Sequence, residues 1–228
     1  MNLAVILARS DSKRIKKKNI KKFLNKPIIY YSLDAIKKTN IFDKIHVSTD
    51  SKEIADVVEK KNIKIDFLRP KSLAKDNTGS LEVLKWILEQ YKKRGLNYEN
   101  IFNVFACAPL IDPADLTKSY KKYIKFNKKY PLYVVSKYKV PVEWALRAER
   151  YLLKANNLNT IRKNSNNFEE KYYETGPFAI FHKNHILNKN KIFKDYFPLY
   201  YEIPYHKSVD IDNLDDWKFA EILFKGNK

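Results

Sequence analysis

The chain has 228 residues, 44% of them hydrophobic and 31% charged, with a net charge of +19. That length suits one domain with a substantial core, and no apolar run approaches the roughly twenty residues of a membrane span. A single cysteine, Cys107, excludes an intrachain disulfide.

That cysteine usage, and a chain that enters a strand at once, set the expectation of a reducing cytoplasm and no signal peptide. No Cys/His grouping has zinc-ligand spacing. A net charge of this size could mark a nucleic-acid binder. Yet the lysines are spread over nearly every segment, often among asparagines, and no RNP aromatic pair, GXXG loop or finger spacing occurs. The composition therefore argues against a nucleic-acid module.

Residues 3–8 have the length and β-branched content of a buried strand. A strongly basic loop over residues 9–22 follows it. In α/β proteins ligands bind where a strand's carboxyl end meets the next loop. Arg9, Ser12, Lys13, Lys18 and Asn19 there suit a nucleoside triphosphate, because cationic groups and hydroxyl donors neutralise phosphate oxygens. The loop has no glycine and is not a P-loop. Charge patterning alone favours a solvated lysine run.

Pro27 opens an amphipathic helix with Ile28, Tyr31, Leu33 and Ile36 available for burial. IHVSTD reads as a second strand, Ser51 as the cap of a helix ending near Asn62, and IDFLRP as a third strand. A helix is expected over residues 78–94, closed by Gly95. A fourth strand over residues 101–106, a helix after Pro113 and a fifth strand in PLYVVSKYK continue the alternation. This rhythm predicts an α/β fold, a mostly parallel Rossmann-like sheet covered by helices on both faces. From Val140 the period is lost, as expected of an arm at about residues 140–175. PFAIFHK and PLYYEIPYHKSVDID return as strands before a closing amphipathic helix, and no boundary divides the chain.

Asp210 and Asp212, read as the end of that last strand, fall on one side of it. Such a pair suits Mg²⁺, which takes one or two carboxylates plus phosphate oxygens and water. Helix-cap electrostatics is the alternative, since Asp212, Asp215 and Asp216 precede or open a helix. His206 lies close in sequence, but a lone histidine is more often structural.

The words ARSDSK and KKNIKKF place Ala8, Arg9, Ser12, Lys13, Lys18, Asn19 and Pro27 in register with ARxxSKxxxxKNxxxxxxxP. VSTDSKEIADVV, RPKSLAKDNTGSLEVL, APLIDPADL, KYYETGPFAIFHKNHIL and SVDIDNLDDWKFAE follow in order. Together they resemble the acylneuraminate cytidylyltransferase family. The resemblance implies a nucleotide-binding α/β domain with a small dimerisation arm, usually a homodimer, that transfers CMP from CTP to a nine-carbon 2-keto sugar acid. It implies phosphate contacts from Arg9, Lys13 and Arg14, and nucleotide contacts from Ala8, Ser12, Lys18, Asn19, Arg69 and Asp76. Mg²⁺ would sit on Asp210 and Asp212, with Lys13 and Asp212 carrying the catalysis.

Departures from the pattern bear on the acceptor. Phe105-Ala106-Cys107-Ala108-Pro109 stands where sialic acid enzymes usually carry Gln-x-Thr-Ser-Pro. The aromatic, with the SKRI loop, looks like the pseudaminic acid branch, whereas YYEIPYHKSVDIDNLDDW looks closer to sialic acid synthetases. Phe105, Cys107, Arg162, Tyr173, Thr175 and Gly176 are the substrate candidates the resemblance implies. Core packing is an equal reading for Phe105 and Cys107.

Overall fold

The computed structural model describes residues 1–188 and 197–227. The first strand, β1 (Asn2–Leu7), is buried on both sides. Its side chains alternate between faces: Ala4 and Ile6 enter one hydrophobic layer, Leu3 and Val5 the other. The basic loop after it holds a single 3-10 turn and a two-rung hairpin, β2 (Lys22–Phe23) with β3 (Lys26–Pro27). Helix α1 (Ile29–Thr39) then leads to β4 (Lys44–Ser48), parallel to β1. Helix α2 (Lys52–Glu59) starts where expected, with the Ser51 hydroxyl accepting the Ile54 N–H.

Helix α3 (Ser80–Lys92) ends ahead of Gly95, which takes the left-handed conformation at φ 75°. Strand β5 (Asn100–Phe105) pairs with β1 on the side away from β4. Asp112 caps α4 (Pro113–Lys125), and β6 (Leu132–Lys137) follows. The excursion after it contains the antiparallel hairpin of β7 (Leu146–Glu149) and β8 (Leu152–Ala155) and the single turn α5 (Leu158–Ile161). The chain returns as β9 (Tyr172–His182), passes through α6 (Lys183–Leu187), and continues into β10 (Leu199–Glu202) and α7 (Leu214–Gly226). Helices α1, α2 and α4 cover one face of the sheet, α3 and α6 the other.

The mostly parallel sheet is as expected, and two of the strand readings change. The sheet, in order β10-β6-β9-β5-β1-β4, is parallel except for β9. The arm leaves the carboxyl end of β6 and re-enters beside it, with Tyr172 opposite Lys137, so the returning strand must run backwards. IDFLRP is not a strand. It is tied to β4 not by a ladder but by Arg69, whose N–H donates to the Thr49 carbonyl and whose Nη2 donates to that of Ser48, and by the ion pair of Asp66 with Lys44 at 2.7 Å. Phe67 instead turns inward, 4.6 Å from His46 and 5.3 Å from Trp86. The SVDID segment is not a strand, because β10 stops at Glu202 and a 3-10 turn at Tyr205–Lys207 intervenes.

Beneath β4 lies a buried polar chain. The Tyr91 hydroxyl donates to Asp66 Oδ2 at 2.7 Å and lies 2.9 Å from His46 Nδ1. Its one proton is thus used, so Nδ1–H must donate to it. Burial of His46 pushes its pKa down to about 3.

Candidate active site

Strands β1 and β5 lie side by side, while the chain crosses from β1 to β4 on one side and then back to β5 on the other. Their carboxyl ends therefore frame a topological switch point, where open α/β sheets bind ligands. A cleft of about 290 Å³ opens there. The opening loop forms one wall and the N-terminal turn of α3, with Thr78, Ser80 and Val83, another. Phe105, Cys107, Asp210 and Asp212 complete it.

The loop is anchored rather than draped. The Ala8 N–H donates to Ser48, and Ser10 donates to Asp50 through its N–H and hydroxyl at 2.8 and 2.6 Å. Burial works against the Asp50 charge, but these two donors prevail and lower its pKa. Buried Asn19 donates to the Arg9 carbonyl at 2.9 Å and so closes the loop on itself. Arg9 and Lys13 both grip Asp76, the latter at 2.5 Å. Hydrogen bonding to Asp76 raises the Lys13 pKa, and the same bond lowers that of Asp76. Lys17, by contrast, pairs with Glu53 outside the cleft. Arg69 is buried, yet it is among the residues that line the cleft.

The two ends of the chain meet through packing. Ile15, Phe23 and Ile28 of the opening segment form a cluster with Ile211, Trp217 and Ala220. The Phe23 ring lies edge-on to Trp217 at 5.5 Å and to Phe224 at 5.9 Å. Each such fully buried side chain contributes about 1.5–3 kcal/mol. With Ile211 anchored in that cluster, Asp210 and Asp212 turn to the cleft. Arg14 Nη2 reaches Asp212 Oδ1 at 2.7 Å, and Lys18 Nζ donates to the Ile211 carbonyl at 2.7 Å.

The helix cap is made by other residues. Asn213 caps α7, and the Asp216 carboxylate accepts the N–H groups of Asp212 and Asn213. Asp212 is thereby left to the cleft. Surrounding protein, and then the nearby Asp212 charge, hold the Asp210 carboxyl above its ordinary range. No third Asp, Glu, His or Cys joins the pair among the described residues. Two carboxylates beside a cationic phosphate-sized cleft fit an ion that draws its other ligands from phosphate and water, as Mg²⁺ does.

Phe105 is 42% exposed and stands between this cleft and a second cavity of about 480 Å³. The cavity has walls of Leu81, Tyr133, Ala179 and Phe181, with Asn103 and Glu174 also facing it. Cys107 donates to Asn19 Oδ1 at 3.4 Å, and burial pushes its thiol up to about 12.

Of the sequence candidates, Arg9, Ser12, Lys13, Lys18, Asn19, Arg69, Phe105, Cys107, Asp210 and Asp212 line the cleft. Ala8 is fully buried beside it, and Asp76 joins it through Arg9 and Lys13. Gly176 packs under the Phe105 ring. Tyr173 is hydrogen-bonded to Ser208 and Thr175 to the Val134 carbonyl, both outside the cleft. Arg162 is exposed on the arm, and His206 is on an exposed turn. The α3 turn and Glu174 were missed. A glycine before a helix, as in Thr78-Gly79-Ser80, was the available signal for the first.

A family model described as cytidylyltransferase matches residues 3–213. The pseudaminic acid cytidylyltransferase of Campylobacter jejuni is 31% identical over 231 residues, 99% of this chain and 97% of that protein. The N-acylneuraminate cytidylyltransferase of Escherichia coli is 29% identical over 96% of this chain and 51% of its own length. Among solved structures, CMP:2-keto-3-deoxy-manno-octonic acid synthetase complexed with CTP superposes with a TM-score of 0.76 at 11% identity. That match covers 100% of this chain and 99% of the other, a likeness of fold. With a match that runs through both the opening loop and the closing aspartates, the chain belongs to the cytidylyltransferase family.

Proposed function

We propose that the protein transfers CMP from CTP to a nonulosonic acid, a nine-carbon 2-keto sugar acid, and releases pyrophosphate. The observation that carries this reading is the convergence of the cationic loop and the Asp210–Asp212 pair on one cleft, in a chain aligned end to end with a pseudaminic acid cytidylyltransferase. In the reaction the acceptor's anomeric oxygen bonds to the α-phosphorus, the bond from that phosphorus to the pyrophosphate oxygen breaks, and the hydroxyl proton passes to water. Phosphoryl-type transfer of this kind is served by alignment and charge stabilisation.

Arg9, Lys13 and Arg14 would hold the phosphates, with Lys13 as the charge that follows the leaving pyrophosphate. Ser12, Lys18, Asn19 and Arg69 would address the remaining phosphate oxygens, ribose and base, on the strand end that Ala8 fixes. Asp76 keeps the two loop cations aimed at the cleft before the triphosphate takes over as their partner. Asp210 and Asp212 would hold Mg²⁺, which when bound screens the triphosphate and polarises its P–O bonds. The acceptor would lie on the Phe105 side, beside Cys107, with Gly176, Tyr173 and Thr175 supporting that wall.

We also propose a homodimer formed through the arm. Leu152 and Leu153, on a two-stranded hairpin that buries little of its own, and Leu158, at the start of α5, are 75%, 69% and 76% exposed there. Isolated hairpins are marginal and exposed apolar patches mark contact sites. A substrate role for Arg162 requires the arm of a second copy, because Arg162 lies outside the cleft of its own chain. A lone, half-buried Cys107 and a CTP substrate suit the cytoplasm. No helix among the described residues is long and apolar enough to cross a membrane.

The test is pyrophosphate release from CTP and Mg²⁺ over a panel of keto sugar acids. Acceptor-dependent release with at least one nonulosonic acid is expected. Silence across the panel, alongside salt-sensitive RNA binding, would overturn the reading in favour of a nucleic-acid module.

A further inference from the structure

In a regular strand, residues five apart face opposite sides of the sheet. Glu174 and Ala179 do not. Tyr133 pairs with Ala179 while Val135 pairs with Glu174, so five residues of β9 span what two span on β6. The slack is taken up in a bulge at residues 175–178. Gly176 adopts φ 73° there, a conformation that strains any L side chain. A Cβ on Gly176 would come within 3.9 Å of the Phe105 ring, which rests over the bulge. Bulges re-aim side chains beside functional sites. This one brings Glu174 to the face of Ala179 and Phe181 and into the 480 Å³ cavity beyond Phe105.

Among the described residues, Glu174 is the one charged group lining that cavity; it is exposed at the cavity's mouth, and no protein hydrogen bond or ion pair reaches its carboxylate. Although solvent reaches the side chain, the protein packed around it shifts its carboxyl above the ordinary range. A carboxylate among aromatic walls repels the acceptor's own carboxylate, which belongs with the cations of the neighbouring cleft. The far end of the acceptor must therefore enter here. The group that satisfies this wall carries an N–H or O–H donor next to apolar surface. A secondary amide supplies both, its N–H to the carboxylate and its acyl methyl to Phe105, Tyr133 and Phe181. A bare hydroxyl leaves the rings uncovered.

We infer that Glu174 is a specificity-determining residue, accepting a hydrogen bond from an amido substituent on the far end of the sugar acid. This inference rests on the cytidylyltransferase reading of the adjoining cleft. Its test uses the full chain, CTP, Mg²⁺ and pairs of nonulosonic acids that differ at one carbon by acetamido against hydroxyl. A hydrogen bond to a charged group predicts that Glu174→Ala raises the KM for the amido acid by about tenfold or more, with the KM for CTP unchanged within about twofold. The preference for amido over hydroxyl acids should shrink by the same factor, and Glu174→Gln, which retains an acceptor oxygen, should fall between. Equal KM values and an unchanged preference in Glu174→Ala would overturn the inference, as would a stronger preference of the wild type for a free-amine analogue. A parallel arm measures saturation transfer by NMR to the acetamido methyl of N-acetylneuraminic acid with CTP present. Strong saturation in the wild type that is lost in Glu174→Ala supports the inference, and saturation equal in both refutes it. If no acid is turned over, the proposed activity fails on its own, and the NMR arm still decides this point.

Discussion

The Asp212→Asn and Asp216→Ala variants separate catalysis from capping. Asp212 is 39% exposed and its partner Arg14 is 66% exposed, so their 2.7 Å ion pair is well screened. Such pairs contribute about 0–1 kcal/mol, and an asparagine oxygen still accepts from Arg14, so the stability loss should be at the low end. Removing one charge next to Asp210, whose carboxyl the Asp212 charge helps to raise, offsets part of even that. Turnover should nevertheless fall about a hundredfold, the order lost with one transition-state stabiliser. Asp216→Ala does the reverse. It deletes the acceptor for two N–H groups at 2.9 Å and half of the capping box, costing about 1 kcal/mol. For a chain of this size that is a Tm shift of about 2–4 °C, with turnover reduced only a few-fold. Scanning calorimetry and pyrophosphate release against Mg²⁺ concentration read the two effects separately. An Asp212→Asn enzyme with normal rate and metal dependence, or an Asp216→Ala enzyme as inactive as Asp212→Asn while still folded, would refute the assignment.

Lys13→Ala should lower turnover about a hundredfold, while Lys17→Ala, whose partner Glu53 lies outside the cleft, should stay near the wild type; equal losses in both would return the loop to a solvated charge run. Because the His46 pKa is held near 3 in the fold, the unfolded chain binds the extra proton between that value and about 6.5. Its contribution to stability is thus complete above about pH 6.5 and is lost by about 1.4 kcal/mol per unit as the pH falls. His46→Phe should flatten urea-derived stability between about pH 6.5 and 4.5. His182 and His185, also lowered by burial, keep smaller slopes in both proteins, and an unchanged total slope would contradict the reasoning. Leu152→Glu with Leu153→Glu should convert the proposed dimer to a monomer by light scattering without unfolding it. A wild-type chain that is monomeric at micromolar concentration removes the arm's proposed role.

Local patterning made most of the sheet legible. The apolar run of β1, the Ser51 cap and the Gly95 terminator act within a few residues, and each is where local chemistry places it. The cleft was legible because its cations cluster in one loop next to a strand end. Four features were not. The reversal of β9 depends on where the arm returns, a tertiary fact without a sequence period. IDFLRP has strand-like composition, but Phe67 is drawn into the layer beneath β4, and the segment meets that strand through Arg69 and the Asp66–Lys44 ion pair rather than a ladder. Asp210 and Asp212 alternate around Ile211 as a strand would, yet it is the burial of Ile211 among Ile15, Phe23 and Trp217 that aims them, not a ladder. Glu174 was hidden for a related reason, since its facing follows from a bulge that reverses the parity of the strand.

The most direct measurement of CMP transfer follows both ends of the triphosphate. Parallel reactions would contain CTP labelled at the α- or γ-phosphorus, Mg²⁺ and the acceptor found by the panel. The expected result is that α label appears in a sugar conjugate and γ label in pyrophosphate, in equal amounts and only when acceptor is present. Release of γ label as inorganic phosphate, or α label recovered in CDP or free CMP without a conjugate, would contradict it.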